Sequence, residues 1–192
     1  PLCRWESRRS GQWPVVSSGP HFEAPGPKPP MTETITVPID HATIERILPH
    51  RYPFLLVDRI VSFEPDKRIV GLKMVSRNER HLSHPPGEAS VLPFTILTEA
   101  IAQVGAILIL AKPENREKLI YFMRIDRVRY RKPVHAGDVV EIEALPGRVR
   151  SRMGTLRGIA RVNGEGVVEG SMTFALGERG ENGPGQAPPA GA

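Results

Sequence analysis

Two residues of this chain, His84 and Glu99, are of the types that carry acid–base chemistry. His84 stands in a loop rich in proline and glycine, and fifteen positions later Glu99 is the single ionisable residue of the apolar segment at 95–110, TILTEAIAQVGAILIL. A segment that is apolar on nearly all sides predicts a buried helix. A carboxylate inside it either has its charge satisfied by neighbours or has a raised pKa. We therefore predict that His84 and Glu99 are the base and the acid of one site.

The elements around this pair predict an α+β domain with a long buried central helix. Asp40 is placed to cap a helix that Pro49 ends, and Asn163-Gly164 is typical of a tight hairpin turn. The predicted elements are a helix at 41–48, strands at 54–63 and 69–75, the helix at 95–110, and strands at 119–130, 139–145, 155–162 and 167–175. An antiparallel sheet of about six strands must then wrap the helix.

Composition excludes several classes of function. The single cysteine, Cys3, excludes an internal disulfide framework and a cysteine-based metal cluster, and it fits a reducing, cytoplasmic location. No apolar run reaches the roughly 18–20 residues that a membrane span needs. The net charge of +5 favours an acidic partner but is too diffuse to indicate nucleic-acid binding.

The two ends of the chain differ from its middle. Residues 1–33 are rich in proline, glycine and serine and lack helical or strand periodicity. We expect them to form a disordered or non-native extension, residues 34–177 to form one domain, and residues 178–192 to form a flexible tail.

Several motifs resemble the (3R)-hydroxyacyl-[acyl carrier protein] dehydratases of the FabZ type, over about residues 40–176. The motifs are LPHRYPFLLVDR at 48–59, NE at 78–79, HPPG at 84–87, LP at 92–93, EAIAQ at 99–103, YF at 121–122, ID at 125–126, RKPV at 131–134 and GD at 137–138. The resemblance implies a hot-dog fold and no metal or organic cofactor. It also implies homodimers, often assembled as a trimer of dimers, in which the histidine of one subunit faces the carboxylate of the other.

The same resemblance implies a role for each site residue. His84 would remove the proton α to the thioester carbonyl, and Glu99 would protonate the departing hydroxyl or orient the water. The backbone N–H of Phe94, at the start of the helix, would stabilise the enolate oxygen. Three residues would support the substrate or the subunit interface: Gly87, Pro93, which fits the first helical turn, and Gln103. His50 and Tyr52 are expected only to shape a loop and a subunit contact.

A basic cluster follows the central helix. It consists of Arg124, Arg127, Arg129, Arg131 and Lys132. These residues would steer an acyl carrier protein, with its phosphopantetheine-linked substrate, to the site. The alternative is a solvated strand face.

Three departures from the family pattern leave other functions open. Pro85 stands where the family usually has phenylalanine, Phe94 stands where it usually has glycine, and the loop before Glu99 is one residue longer. The alternatives are a thioesterase, in which Glu99 activates water, and a non-catalytic acyl-binding subunit. No cysteine or aspartate completes a metal set with His81 and His84, so no metal site is predicted.

Overall fold

A computed structural model describes residues 36–84, 86–150 and 152–178. The helices are α1, His41–Ile47, and α2, Phe94–Leu110, with a short 3₁₀ helix at Pro113–Asn115. The strands are β1, Arg59–Glu64; β2, Arg68–Met74; β3, Lys118–Tyr130; β4, Val139–Arg150; β5, Met153–Val162; and β6, Glu165–Glu178.

The six strands form one antiparallel sheet in the order β1-β2-β4-β5-β6-β3. Strand β3 follows α2 directly in the chain, yet it lies at the sheet edge opposite β1, paired only with β6 among the described strands. One long helix against such a sheet is the α+β, hot-dog architecture that the resemblance implied.

Helix α2 forms the centre of the core, as its apolar sequence predicts. Thirteen of its 17 residues are buried. It lies so close to the sheet that a Cβ on Gly105 would be 1.9 Å from Leu156 Cδ2, and a Cβ on Gly158 would be 2.2 Å from Ile101 Cγ2. Glycine at both positions therefore allows this close approach of helix and strand.

Two local predictions are confirmed, one for a helix cap and one for a hairpin turn. Asp40 Oδ1 accepts a hydrogen bond from Thr43 N–H at 2.9 Å and so caps α1. Asn163 and Gly164 have φ angles of 51° and 81°, as a two-residue hairpin turn requires.

The predicted boundaries of five elements are wrong. The central helix begins at Phe94, and Pro93 is its N-cap residue rather than a member of its first turn. Strand β1 begins at Arg59, because residues 54–58 are irregular and part of their backbone bonds to a helix side chain. Strands β4, β5 and β6 are longer than predicted.

Residues 1–35 and 179–192 lie outside the described residues, so the extension at 1–33 and the tail at 178–192 stay predictions. Within the described ranges, no helix combines the length and the apolar character needed to cross a bilayer.

Candidate active site

Glu99 lies on the incompletely buried side of α2. Its side chain is 28% exposed, so the expected full burial is wrong. Gln103 Nε2 donates a hydrogen bond to Glu99 Oε1 at 2.9 Å, and His50 Nε2 lies 3.5 Å from the same oxygen. Oε2 has no recorded partner among the described residues. Neighbouring side chains therefore hold the carboxylate through Oε1, and Oε2 is available to a substrate.

Gln103 is the buried residue that fixes this carboxylate. It is 1% exposed and sits one helical turn after Glu99. Its Nε2 also donates to Phe54 O at 2.8 Å, and its Oε1 accepts from Leu56 N–H at 2.9 Å. One amide thus joins Glu99 to the segment that precedes β1.

His50 contacts Glu99 from that segment. Its ring packs against Phe54 at a centroid distance of 6.1 Å. Burial lowers the pKa of His50, and this effect outweighs the raising effect of Glu99. The sequence interpretation assigned His50 to loop shape and did not predict its contact with Glu99.

A charged cluster behind Phe54 consists of Lys73, Glu79 and His81. His81 packs its ring edge-on to Phe54 at 6.3 Å, and its Nδ1 lies 2.9 Å from Glu79 Oε1. Lys73, only 3% exposed, donates to Glu79 Oε2 at 2.7 Å. Burial raises the pKa of Glu79, but the bonds from Lys73 and His81 outweigh it and bring the pKa below its ordinary value.

The His84 loop is closed at its base by a β-bridge. Ser83 and Val91 exchange backbone hydrogen bonds of 2.9 and 3.1 Å. His84 is exposed, and its Nδ1 lies 2.7 Å from Ser90 Oγ. Gly87 turns the loop with a φ of 75°, which favours glycine. Pro85 lies outside the described residues.

The end of this loop is fixed to the turn before β4. Leu92 N–H donates to Val134 O at 2.8 Å, and Val91 forms a bridge with His135. His135 Nδ1 lies 3.1 Å from Ser90 O. Ser90, whose side chain contacts His84, is therefore also held through its backbone carbonyl.

Phe94 presents a free backbone N–H at the start of α2. The carbonyl of Pro93 accepts from Ile96 N–H at 3.0 Å, and within the described chain no acceptor is recorded for Phe94 N–H. The Phe94 ring stacks on Tyr130 at 4.8 Å. Glu99, five positions on, lies about 140° round the helix from Phe94. The large side chain therefore occupies a different helix face from the carboxylate.

His84 and Glu99 are not joined within one chain. In the described residues, the recorded side-chain partners are Ser90 for His84, and Gln103 and His50 for Glu99. Sequence reasoning missed Ser90 and the His50 contact. The serine six positions after His84 has no distinctive local pattern, whereas His50 stood inside the LPHRYPF motif and gave the only signal.

The basic cluster lies along β3 and the residues just after it, and most of its charges have acidic neighbours. Arg131 Nη2 lies 2.8 Å and Arg129 Nη1 lies 3.6 Å from Glu169 Oε1. Lys132 pairs with Glu165, and Arg124 pairs with Asp126. Arg127 is exposed and has no recorded ion pair within the described part of the chain.

No three His, Cys, Asp or Glu side chains among the described residues are grouped so that they could hold a metal ion. At the candidate site, His84 is paired with Ser90, and Glu99 is paired with Gln103 and His50.

Comparisons with known proteins give a consistent result. A family model described as a FabA-like domain matches residues 48–171. The 3-hydroxyacyl-[acyl-carrier-protein] dehydratase FabZ of Anoxybacillus flavithermus is 49% identical over 142 residues, which cover 73% of this chain and 99% of that protein. The protein of the same name from Bacillus cytotoxicus is 48% identical over 138 residues, covering 72% of this chain and 96% of that one.

Solved structures show the same fold. The dehydratase heterocomplex ApeI:P from Xenorhabdus doucetiae contains a chain that superposes with a TM-score of 0.63 at 19% identity. The match covers 76% of this chain and 94% of that one, which supports the hot-dog architecture.

Proposed function

The chain belongs to the FabA-like domain family and is a 3-hydroxyacyl-[acyl-carrier-protein] dehydratase of fatty acid biosynthesis, and we propose that His84, Glu99 and Phe94 N–H carry its reaction. The observation that carries the function is the 49% identity to a FabZ dehydratase over 99% of its length. The substrate that we propose is the (3R)-3-hydroxyacyl thioester, and the product is the trans-2-enoyl thioester.

His84 is proposed to be the base. An imidazole can both accept and donate a proton, which suits it to general acid–base catalysis. When Ser90 Oγ accepts a hydrogen bond from Nδ1–H, the lone pair lies on Nε2, for which no partner is recorded in the described chain. Nε2 would then remove the proton from C2 of the substrate.

Glu99 is proposed to be the acid. Its Oε1 is occupied by Gln103 and approached by His50, whereas Oε2 is left for the substrate. Protonated Oε2 would donate to the departing C3 hydroxyl, which leaves as water. The backbone N–H of Phe94, which has no acceptor within the described residues, would stabilise negative charge on the thioester oxygen while the C2–H bond breaks.

The complete site is proposed to need two copies of the chain. Within one copy, His84 and Glu99 have separate partners and no recorded contact. Strand β3 offers a 13-residue edge for pairing, with Met123 63% exposed and Ile125 56% exposed. A homodimer joined at this edge, or a trimer of such dimers, would bring the histidine of one copy to the carboxylate of the other.

The test is to incubate the protein with a 3-hydroxyacyl-[acyl carrier protein] and to identify the product by mass spectrometry. We expect the enoyl thioester, and we expect His84→Ala and Glu99→Gln each to lower kcat by about 100-fold or more. Free acid and thiol would indicate a thioesterase, and the absence of any product would indicate a binding subunit. Either result would reject the proposal.

We also propose that the basic cluster docks the carrier protein, with Arg127 as its most available charge. Arg127→Glu should raise the KM for carrier-bound substrate at low salt and leave kcat little changed, because electrostatic steering acts on association. Lys67→Glu is the matched control, since it reverses an exposed charge in the turn between β1 and β2, outside the cluster, and it should leave the KM unchanged. Equal KM values for Arg127→Glu and the unmodified protein would refute docking there. The cytoplasmic location stays a prediction that cell fractionation can check.

A further inference from the structure

We infer that His50 is a positioning residue that holds Glu99 through a neutral imidazole. The inference rests on the proposed role of Glu99 as the acid. His50 Nε2 lies 3.5 Å from Glu99 Oε1, the oxygen that also accepts from Gln103. Two nitrogen atoms from different elements thus converge on one carboxylate oxygen.

The surroundings of the ring select one tautomer. His50 Nδ1 is buried and has no hydrogen-bond partner within the described residues. A proton on Nδ1 would be a buried donor without an acceptor, whereas a proton on Nε2 faces Glu99. The Nε2–H tautomer therefore fits this site better than the Nδ1–H tautomer.

The doubly protonated ring is disfavoured for the same reason, because that form also carries a proton on the buried Nδ1. Two charged groups bear on His50, namely Glu99 from α2 and Arg51 from its own segment. Burial lowers the pKa of His50, Glu99 acts in the opposite direction, and Arg51 lowers it further. The imidazole is thus a neutral donor near neutral pH.

A neutral donor suits an acid that must exchange its proton. A cation at 3.5 Å would favour the ionised carboxylate and oppose its protonation, whereas a neutral N–H orients the group with a weaker effect on its charge. Because His50 and Gln103 both act on Oε1, they fix the rotation of the carboxylate. They leave Oε2 directed away from its supports and free for the substrate.

The ring of His50 is itself supported. Phe54 packs on it, and the ring of His81 packs edge-on to Phe54. His81 is fixed by Glu79, which is also bonded to Lys73. The charged cluster behind Phe54 therefore stabilises the packing that keeps His50 beside Glu99.

Three substitutions separate the donor from the bulk of the ring. Glutamine places an amide nitrogen near the position of Nε2, asparagine places one near Nδ1, and phenylalanine keeps a ring without any donor. In the full-length protein, His50→Phe and His50→Asn should lower kcat by about 10- to 100-fold, because a misplaced catalytic group costs that much. Their KM should change less than about 2-fold, and His50→Gln should recover most of the lost kcat.

A second measurement does not depend on turnover. The ¹³C carboxyl signal of Glu99, assigned with Glu99→Gln, is followed from pH 3 to pH 9 in each variant. We expect the Glu99 titration to change in His50→Phe and to return toward that of the unmodified protein in His50→Gln. A protein that makes no enoyl product would fail the proposed function, yet this titration would still test the contact.

Two outcomes would overturn the inference. One is an unchanged Glu99 titration in His50→Phe. The other is a His50→Gln variant that loses as much kcat as His50→Phe, since a donor at the Nε2 position would then not matter.

Discussion

Replacing Gln103 by methionine should be among the most damaging single changes at the site. Methionine has nearly the same length and volume as glutamine but lacks both polar atoms. Gln103 is 1% exposed, so no bulk water is available to replace its hydrogen bonds. The change leaves Leu56 N–H without its acceptor and Phe54 O without this donor, and it removes one of the two nitrogen atoms that approach Glu99 Oε1.

The expected loss follows from those groups. An unpaired buried backbone group costs about 1–3 kcal/mol, and Leu56 N–H, in a residue only 3% exposed, would carry that cost. Phe54 is 43% exposed, so water can replace part of the bond that its carbonyl loses. Glu99 is 28% exposed, so water can replace part of its lost bond and its contribution is smaller. The free energy of unfolding should therefore fall by about 2–4 kcal/mol, with a loss of kcat because Glu99 loses one of its two supports.

The assay is urea unfolding followed by circular dichroism, with all variants at one protein concentration, because the stability of the proposed dimer would depend on concentration. Thr98→Val is the matched control on the same helix. Thr98 Oγ1 donates to Phe94 O, so its removal leaves no buried backbone N–H unpaired and should cost less than about 1.5 kcal/mol. A Gln103→Met variant no less stable than Thr98→Val would refute the reasoning.

Two further changes test the core and the charged cluster. Glu79→Gln should cost about 3–5 kcal/mol, because it leaves Lys73, 3% exposed, buried without its counter-charge. The pKa of Glu79 in the folded protein lies below its ordinary value of 4.5, so ionised Glu79 stabilises the fold above about pH 4.5. This stabilisation is lost as the pH falls through the pKa of folded Glu79. An acid-unfolding curve that Glu79→Gln leaves unaltered would contradict this. Gly105→Ala should lower Tm, because its Cβ would lie 1.9 Å from Leu156 Cδ2, and overpacking of about 1–3 kcal/mol or more exceeds the ~1 kcal/mol gained in helix propensity. Gly166→Ala is the control: its Cβ would lie an ordinary 3.4 Å from Ile159 Cδ1, so Tm should change little. Equal Tm values for the two alanine variants would show that the close approach of helix and sheet does not require glycine at position 105.

Local patterns were enough to predict the helices and the turns. The apolar run of α2, the Asp40 cap and the Asn163-Gly164 turn are each specified by residues close together in sequence. The strand order required contacts between distant segments. Nothing local indicates that β3 pairs with β6 at an edge, although β4 follows it in the chain.

The site shows the same division between local and distant information. His84 and Glu99 could be named from their residue types and from the motifs around them, but their supports could not. Gln103 bonds to backbone groups 47 and 49 positions away, and those bonds account for the irregular segment that was predicted as strand. The partial exposure of Glu99 likewise depends on how α2 lies against the sheet.

The central claim is that a dehydratase site forms from His84 of one copy and Glu99 of another. It is tested most directly by co-expressing His84→Ala and Glu99→Gln chains with different tags and purifying the mixed assemblies. A mixed dimer isolated through both tags has one intact site of two, so it should recover about half of the unmodified activity. Recovery of that activity, with each variant alone inactive, is the result predicted here. Mixed assemblies that stay as inactive as their parents would contradict the claim.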